Sequence, residues 1–326
     1  MNTRLYSLSK QLGTGLLALS FATAALAASV QPPWSEARPD GYAFHVPGID
    51  NAPDLHGDVN DPQLVIFFAG NQYMVVNELL QAFKKAHPDY QRVFAETLPP
   101  GKLVNQIENG ALVFGNMRIH LKPDIFTAGS GRVEDLQKQR GWFAETRPYA
   151  RNRLAIMTYK GNPYEVENWE DLAQAGLSVC MPDPEFEGIA EHAIIPALEE
   201  AGGKALVSEI YQEKVNDGSA FKTVIHHRQT PLRIMQKKCD AGAVWYTEAK
   251  FHGQMKNHAI SLVEIPDTEN KTATYVAARM KDAPHEEAAK AFMDFLTGPE
   301  GQKIYSKYGF MPPDAAAKKD DRQNSE

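Results

Sequence analysis

Residues 64–89 read LVIFFAGNQYMVVNELLQAFKKAHPD, and their pattern decides the fold class. Leu64 to Phe68 is an unbroken apolar run of strand length, followed by the turn Ala69-Gly70-Asn71-Gln72. Apolar residues then recur at Met74, Val75, Leu79, Leu80 and Phe83 with helical spacing, until His87-Pro88 stops the helix. A buried strand, a tight turn and an amphipathic helix make one α/β unit. In an open α/β sheet a small ligand lies beyond the carboxyl ends of the strands, where helix N-termini present unpaired N–H groups. Gly70, Asn71 and Gln72 are therefore expected to form one wall of a ligand site.

The same unit repeats downstream. Arg92–Glu96 is a second strand ending at Thr97-Leu98-Pro99-Pro100-Gly101, with a helix from Lys102. Ala111–Leu121 has Gly115-Asn116 between two short alternating runs and predicts a hairpin. Asp124–Thr127 is a third strand, and Ala128-Gly129-Ser130-Gly131 leads into a helix. Three strand-loop-helix units imply a parallel sheet with right-handed crossovers. Arg153–Tyr159 is a further strand, and Asn168 caps a short helix to Ala175. A second series begins with the strand Leu177–Met181, the loop Pro182–Gly188 and a helix from Ile189 to Glu200. It continues with a helix near Thr230–Lys237 and the strand Ala243–Tyr246, which ends at Thr247-Glu248. Tyr275–Ala278 returns as a strand, Glu286–Leu296 is an amphipathic helix, and Gly298-Pro299 opens a closing helix. The expectation is a two-domain α/β fold: 61–155 with 272–313 as one domain, and 156–271 as the other.

The flanks are different. Arg4 and Lys10 precede the apolar stretch Leu12–Ala25, which ends in Ala25-Leu26-Ala27, the three-part pattern of a cleaved signal peptide over 1–27. That stretch is too short for a membrane anchor, so the mature chain is expected free in the periplasm. Residues 28–60, rich in proline and glycine, are expected to form an extended arm, with Asp54-Leu55-His56-Gly57-Asp58 as solvated loop. Residues 314–326 form a polar tail expected to be disordered. The formal net charge is -7, and removing the leader takes two positive charges, giving -7 - 2 = -9. Such a chain is not built to bind nucleic acid through bulk charge, and it is expected to act as a monomer.

No G-x-S-x-G, Walker A, H-E-x-x-H or C-x-x-C motif occurs, and no cofactor is expected. Instead, each strand-end loop supplies donors: Asn71 and Gln72, Thr97, Ser130, Glu187, and Trp245 with Tyr246. The densest polar cluster is Val224–Pro231. Thr230 as N-cap with Pro231 at the first helical position would leave His226, His227 and Arg228 at the helix entrance. Three chemistries are open there. One is an anion held by backbone N–H groups and Arg228. Another is a metal cation on His226, His227 and Glu187. The third is an enzyme with His227 as base and Glu187 as acid, which lacks a recognisable nucleophile pair. Cys180 near the carboxyl end of its strand and Cys239 before the amino end of the next predict two unpaired buried thiols.

Several segments together resemble the periplasmic molybdate-binding proteins of ABC importers. These are Tyr149–Ile156 with Lys160-Gly161-Asn162-Pro163, Pro123–Ala128, Gln106-Ile107-Glu108, Asp171-Leu172-Ala173, Asp240–Ala249, Ala291–Leu296 and Tyr308-Gly309-Phe310. The resemblance runs from about Leu64 to Pro312 and implies a type II solute-binding fold that closes on its ligand and delivers it to a permease in the inner membrane. It implies an oxyanion held by neutral donors, whose positions fall on the Gly70-Asn71-Gln72 loop, Pro99-Pro100, the Pro184–Gly188 loop, His227 and Trp245. Proline has neither hydroxyl nor N–H, so the second-loop donors of that pattern are absent here.

Overall fold

The structure is a computed structural model that describes residues 54–114 and 117–313. The expected signal peptide, residues 28–53 of the arm and the tail 314–326 lie outside the described residues. The apolar run quoted above is the strand β2 (Leu64–Ala69), buried along its whole length. After the turn Gly70–Gln72 comes the helix α1 (Tyr73–Ala86), which carries Lys84 and Lys85 in its last turn, where cations oppose the helix dipole. His87 N–H closes the helix on the Phe83 carbonyl before Pro88 stops it.

Next come β3 (Val93–Leu98), α2 (Pro100–Asn109), the hairpin β4 (Leu112–Phe114) and β5 (Met117–Ile119), β6 (Ile125–Gly129) and α3 (Ser130–Arg140). They are preceded by a short edge strand β1 (Leu55–Gly57), antiparallel to β3. The 17-residue β7 (Phe143–Tyr159) follows, then β8 (Val179–Pro182), α4 (Ile195–Ser208), α5 (Lys214–Asn216), β9 (Ala220–Thr223) and α6 (His226–Met235). The chain ends with β10 (Ala241–Trp245), α7 (Tyr246–Gln254), β11 (Ile260–Glu264), β12 (Thr272–Met280), α8 (Glu286–Thr297) and α9 (Pro299–Lys307).

Ten strands form one continuous sheet in the order β1-β3-β2-β6-β12-β7-β10-β8-β9, with β11 also on β7. β3, β2 and β6 are mutually parallel, as are β10, β8 and β9, while β12 and β7 run antiparallel to their neighbours. β7 pairs with β12 up to Arg153 and with β10 and β11 from Leu154 onward, so it belongs to both parts of the sheet.

Strand alternation feeds two cores in the first part. Leu64, Ile66 and Phe68 face α1, α8 and α9, while Val65 and Phe67 face α2 and α3. Phe83 of α1 meets Phe292 and Phe295 of α8 edge to face, at 5.1 and 5.6 Å between ring centres. Burying one such ring contributes about 1.5–3 kcal/mol. The second part likewise has Ala241, Ala243 and Trp245 on one face of β10 and Val244 on the other.

Three expectations need correction. Cys180 and Cys239 form a disulfide with Cα atoms 5.9 Å apart. Cys180 is only the second residue of β8, and Gly242 lies level with it, so Cys239, emerging from the turn after α6, enters at the same end of the sheet. The stretch around Asp54 is not solvated loop: Asp54 and His56 are buried as β1 closes the sheet edge. The strand expected at Arg153–Tyr159 is only the last seven residues of the 17-residue β7, because the alternation upstream is masked by polar residues on its exposed face.

β7 also carries a bulge. Tyr275 lies opposite Ala150 and Val276 opposite Pro148, leaving Tyr149 as the extra residue. Pro148 has no N–H for the ladder. The bulge re-aims Tyr149 toward the turn after β2, where its hydroxyl reaches Gln72 Oε1 at 2.7 Å.

Candidate functional site

The carboxyl ends of β2, β3, β6, β8, β9 and β10 supply the loops and helix starts that bear the site. Gln72, fully buried, accepts hydrogen bonds on Oε1 from the hydroxyls of Tyr149 and Tyr305, and its amide donates to Thr127 Oγ1 at 3.4 Å. Asn71 donates to the Tyr275 hydroxyl. Both amides are thus engaged by the protein. Thr127 Oγ1 also accepts from the Ala69 N–H at 2.9 Å, tying β2 to β6. Ser130 opens α3, half-buried, outside this cluster.

α6 begins at His226, four residues before the expected N-cap Thr230, and Pro231 sits inside the helix. One distant side chain and one from within the helix do the work the expected cap would have done. Glu187, 39 residues upstream, takes the His226 N–H on Oε1 at 2.6 Å, and Gln229 Oε1 takes the Val224 and Ile225 N–H groups. A carboxylate there also complements the helix dipole. Gly242 lets α6 lie on β10: a Cβ would fall 2.6 Å from both Thr230 Cγ2 and the Cys180 carbonyl oxygen.

Consecutive residues then share one buried volume. His226 Nδ1 meets Glu187 Oε2 at 2.9 Å, and His226 Nε2 faces Glu248 Oε1 at 3.6 Å. Glu248 sits in the first turn of α7, where its Oε2 accepts the Trp245 N–H at 3.0 Å. The His227 ring stands edge to face with His226, 5.5 Å between centres, and one ring nitrogen bonds the Thr97 backbone. Ligand atoms of His226, His227 and Glu248 all lie within 4.8 Å of one another. His226 Nε2, His227 Nε2 and Glu248 Oε1 are buried without hydrogen-bond partners. Each such orphan costs about 1–3 kcal/mol. The carboxylate completing the trio is Glu248 rather than Glu187, whose two oxygens are spent on His226.

Electrostatics follow from burial and neighbours. Burial opposes charge on His226, but Glu187 and Glu248 overcome it and lift the imidazole to about 8. Burial, Arg228 and His226 together hold His227 well below the usual histidine range, so it is neutral. Burial raises Glu248 to about 7 against the pull of His226. Arg228 is spent elsewhere. Its guanidinium donates to Asp54 Oδ1 at 3.0–3.1 Å and to Thr97 Oγ1 at 3.3 Å, and it lies 4.0 Å over the Tyr73 ring. Tyr73 in turn hydrogen-bonds His252, which contacts His258.

The two parts of the sheet meet tightly here. A Cβ on Gly70 would stand 2.1 Å from His227 Cε1, so only glycine admits the ring against the turn after β2. Of the residues expected from sequence, Thr97, Glu187, His226, His227 and Arg228 converge, and Asn71, Gln72 and Trp245 line the surroundings. Tyr246 does not join them, because its ring stacks under Arg153 at 4.3 Å. Sequence reasoning missed Asp54, Tyr73 and Glu248. Glu248 could have been found as the third residue of a helix starting at the end of the Ala243–Tyr246 strand.

The model of the family described as bacterial extracellular solute-binding protein matches residues 64–311. The molybdate-binding protein ModA of Mycobacterium tuberculosis (strain ATCC 25618 / H37Rv) is 22% identical over 252 residues, covering 77% of this chain and 85% of the relative. The periplasmic molybdate-binding protein of Azotobacter vinelandii superposes with a TM-score of 0.61 at 16% identity, covering 77% of this chain and all (100%) of that one. Iron-bound HitA from Pseudomonas aeruginosa superposes with a TM-score of 0.57 at 14% identity, covering 78% and 89%. The fold is the type II periplasmic solute-binding fold, in a form divergent from the molybdate-binding proteins. With a family match spanning most of its length and strand-end loops from both parts of its sheet converging on one buried cluster, the chain belongs to the bacterial extracellular solute-binding proteins.

Proposed function

We propose that the protein is the substrate-binding component of an ABC importer, exported by its 1–27 leader and working in the periplasm as a monomer. It takes a small inorganic ion into the cleft between a 61–155/272–313 domain and a 156–271 domain and presents it to an inner-membrane permease. The observation that carries this reading is the closed cluster itself, in which Gly70 and His227 touch across the two parts. The change of β7 partners at Arg153–Leu154 supports this reading, with one connection between the domains there and a second ahead of β12. No helix of the described residues is long and apolar enough to cross a membrane.

An oxyanion is the ligand the resemblance implies, and Arg228 beside Thr97 favours it. The donor inventory opposes it. Asn71, Gln72 and Arg228 already have protein partners, and Glu187 and Glu248 flank the cluster. A unit negative charge 4 Å from a carboxylate meets roughly 4 kcal/mol of repulsion at an effective dielectric near 20, and a dianion about twice that. Carrier chemistry without catalysis fits a site that lacks a nucleophile paired to a base. The test is a thermal-shift and calorimetric screen of mature protein against molybdate, tungstate, sulfate and a panel of divalent metal salts. A ligand at a hundred times its dissociation constant adds roughly 2.7 kcal/mol of stability. No shift and no heat from any of them refutes the reading.

A further inference from the structure

We propose that the ion carried is a divalent first-row transition metal, bound by His226 Nε2, His227 Nε2 and Glu248 Oε1. The inference rests on the solute-binding reading above and names its ligand class. Its basis is that ligand atoms of His226, His227 and Glu248 lie within 4.8 Å of one another, and that each of these residues carries a buried atom without a hydrogen-bond partner: His226 Nε2, His227 Nε2 and Glu248 Oε1. Their residues are 5%, 1% and 0% exposed. A tetrahedral ion with bonds of about 2.1 Å sets its donors about 3.4 Å apart, and His226 Nε2 and Glu248 Oε1 stand at 3.6 Å.

The surroundings are those of a ligand set rather than of an ion pair. A ligating histidine has its second nitrogen hydrogen-bonded to a carboxylate or a backbone carbonyl, which fixes its tautomer. His226 Nδ1 has Glu187 at 2.9 Å, and His227 has the Thr97 backbone. A protonated His226 paired with Glu248 would account for two of the orphans at best, at a separation longer than a hydrogen bond, and would leave His227 Nε2 with nothing. Two carboxylates, Glu187 and Glu248, balance a dication. Imidazole nitrogens select zinc, cobalt, nickel or copper over magnesium and calcium. Three protein ligands leave a coordination position open, which suits a carrier that must surrender its cargo. All three ligands belong to α6 and α7, so one domain takes up the ion and the Gly70 turn closes over it.

The test uses mature full-length protein purified without a histidine tag and stripped by dialysis against chelator. Titration with Zn²⁺ should give one equivalent of binding heat, Co²⁺ should develop a visible d–d absorption band, and Mg²⁺ and Ca²⁺ should give neither. Glu248→Gln, His226→Ala and His227→Gln should each weaken Zn²⁺ binding by at least about a hundredfold. Glu187→Gln should weaken it by about ten- to a hundredfold with the stoichiometry kept. Circular dichroism of the metal-free variants separates lost ligands from lost folding, and the wild-type titration stands independently of them. Absence of Zn²⁺ heat and Co²⁺ colour in the wild type, or wild-type affinity in a folded Glu248→Gln variant, overturns the assignment. If molybdate or tungstate binds in that case, the solute-binding reading survives without the metal; if nothing binds, both fall.

Discussion

Glu96 offers a test of the buried electrostatics that is independent of the ligand. It lies on β3 with no exposure, its Oε1 accepting from the Gln106 amide at 2.9 Å. Burial, aided by the Asp54 charge and opposed by the Gln106 hydrogen bond, pushes its carboxyl from 4.5 up to about 8. The folded protein therefore holds a proton here that the unfolded chain releases above pH 4.5. Between these values the unfolded state binds fewer protons, so stability from this group is full below pH 4.5 and is lost as pH rises toward 8. At 1.36 kcal/mol per pH unit the loss is about 3 kcal/mol at pH 7 and approaches 5 kcal/mol by pH 9. Glu96→Gln keeps the shape and an acceptor for Gln106 but cannot ionise. Urea unfolding at a series of pH values should show the variant matching wild type near pH 4.5 and exceeding it by about 3 kcal/mol at pH 7. At pH 7 the infrared absorption of protonated carboxylic acids should lose the Glu96 contribution in the variant, leaving that of Glu248. Parallel stability curves from pH 5 to 8.5 would refute the burial argument.

Other perturbations separate closure from folding. Gly70→Ala puts a methyl 2.1 Å from His227 Cε1. It should leave thermal unfolding of the ligand-free form within about 1 kcal/mol of wild type, while small-angle scattering shows the cleft held open. Asp54→Asn removes the carboxylate that faces the Arg228 guanidinium, 1% exposed, and should destabilise the closed, ligand-loaded form by about 3–5 kcal/mol. Adding Arg228→Met should recover much of that in denaturant titrations, because no uncompensated charge remains. Reducing the disulfide releases a loop of 59 residues. Chain entropy predicts a loss of about 4 kcal/mol, read as a lower urea midpoint with reductant present.

The residues differ in how legible they were from sequence. The run Leu64–Phe68 and the helical spacing through Phe83 announced their elements because a strand and helix at the core show their own periodicity. α6 was misread because its start is fixed by Glu187, 39 residues away, and no local pattern records that. Asp54 and His56 look like loop residues by composition. They are buried because β1 covers the edge of β3, with His56 opposite Ala95 and the Asp54 carbonyl accepting from the Thr97 N–H, a pairing that only the folded sheet supplies. The cysteines were misplaced by two residues of strand boundary, enough to move Cys180 to the wrong end of β8. His226 and His227 were visible as a pair, whereas the carboxylate facing them arrives from β10 and α7 through the sheet register.

β7 has a mechanical consequence. Its 17 residues, about 56 Å at 3.3 Å per residue, run from one core into the other as a single strand containing no glycine. A hinge of loose loop would let the domains swing with little resistance. A ribbon hydrogen-bonded to β12, β10 and β11 behaves as a leaf spring, its deflection spread over many residues and resisted by the rungs of the ladder on either side of the Tyr149 bulge. If the two parts open and close on an ion as proposed above, the travel is short and elastic, and the relaxed position of the spring, not ligand contact alone, sets how readily the ion is released.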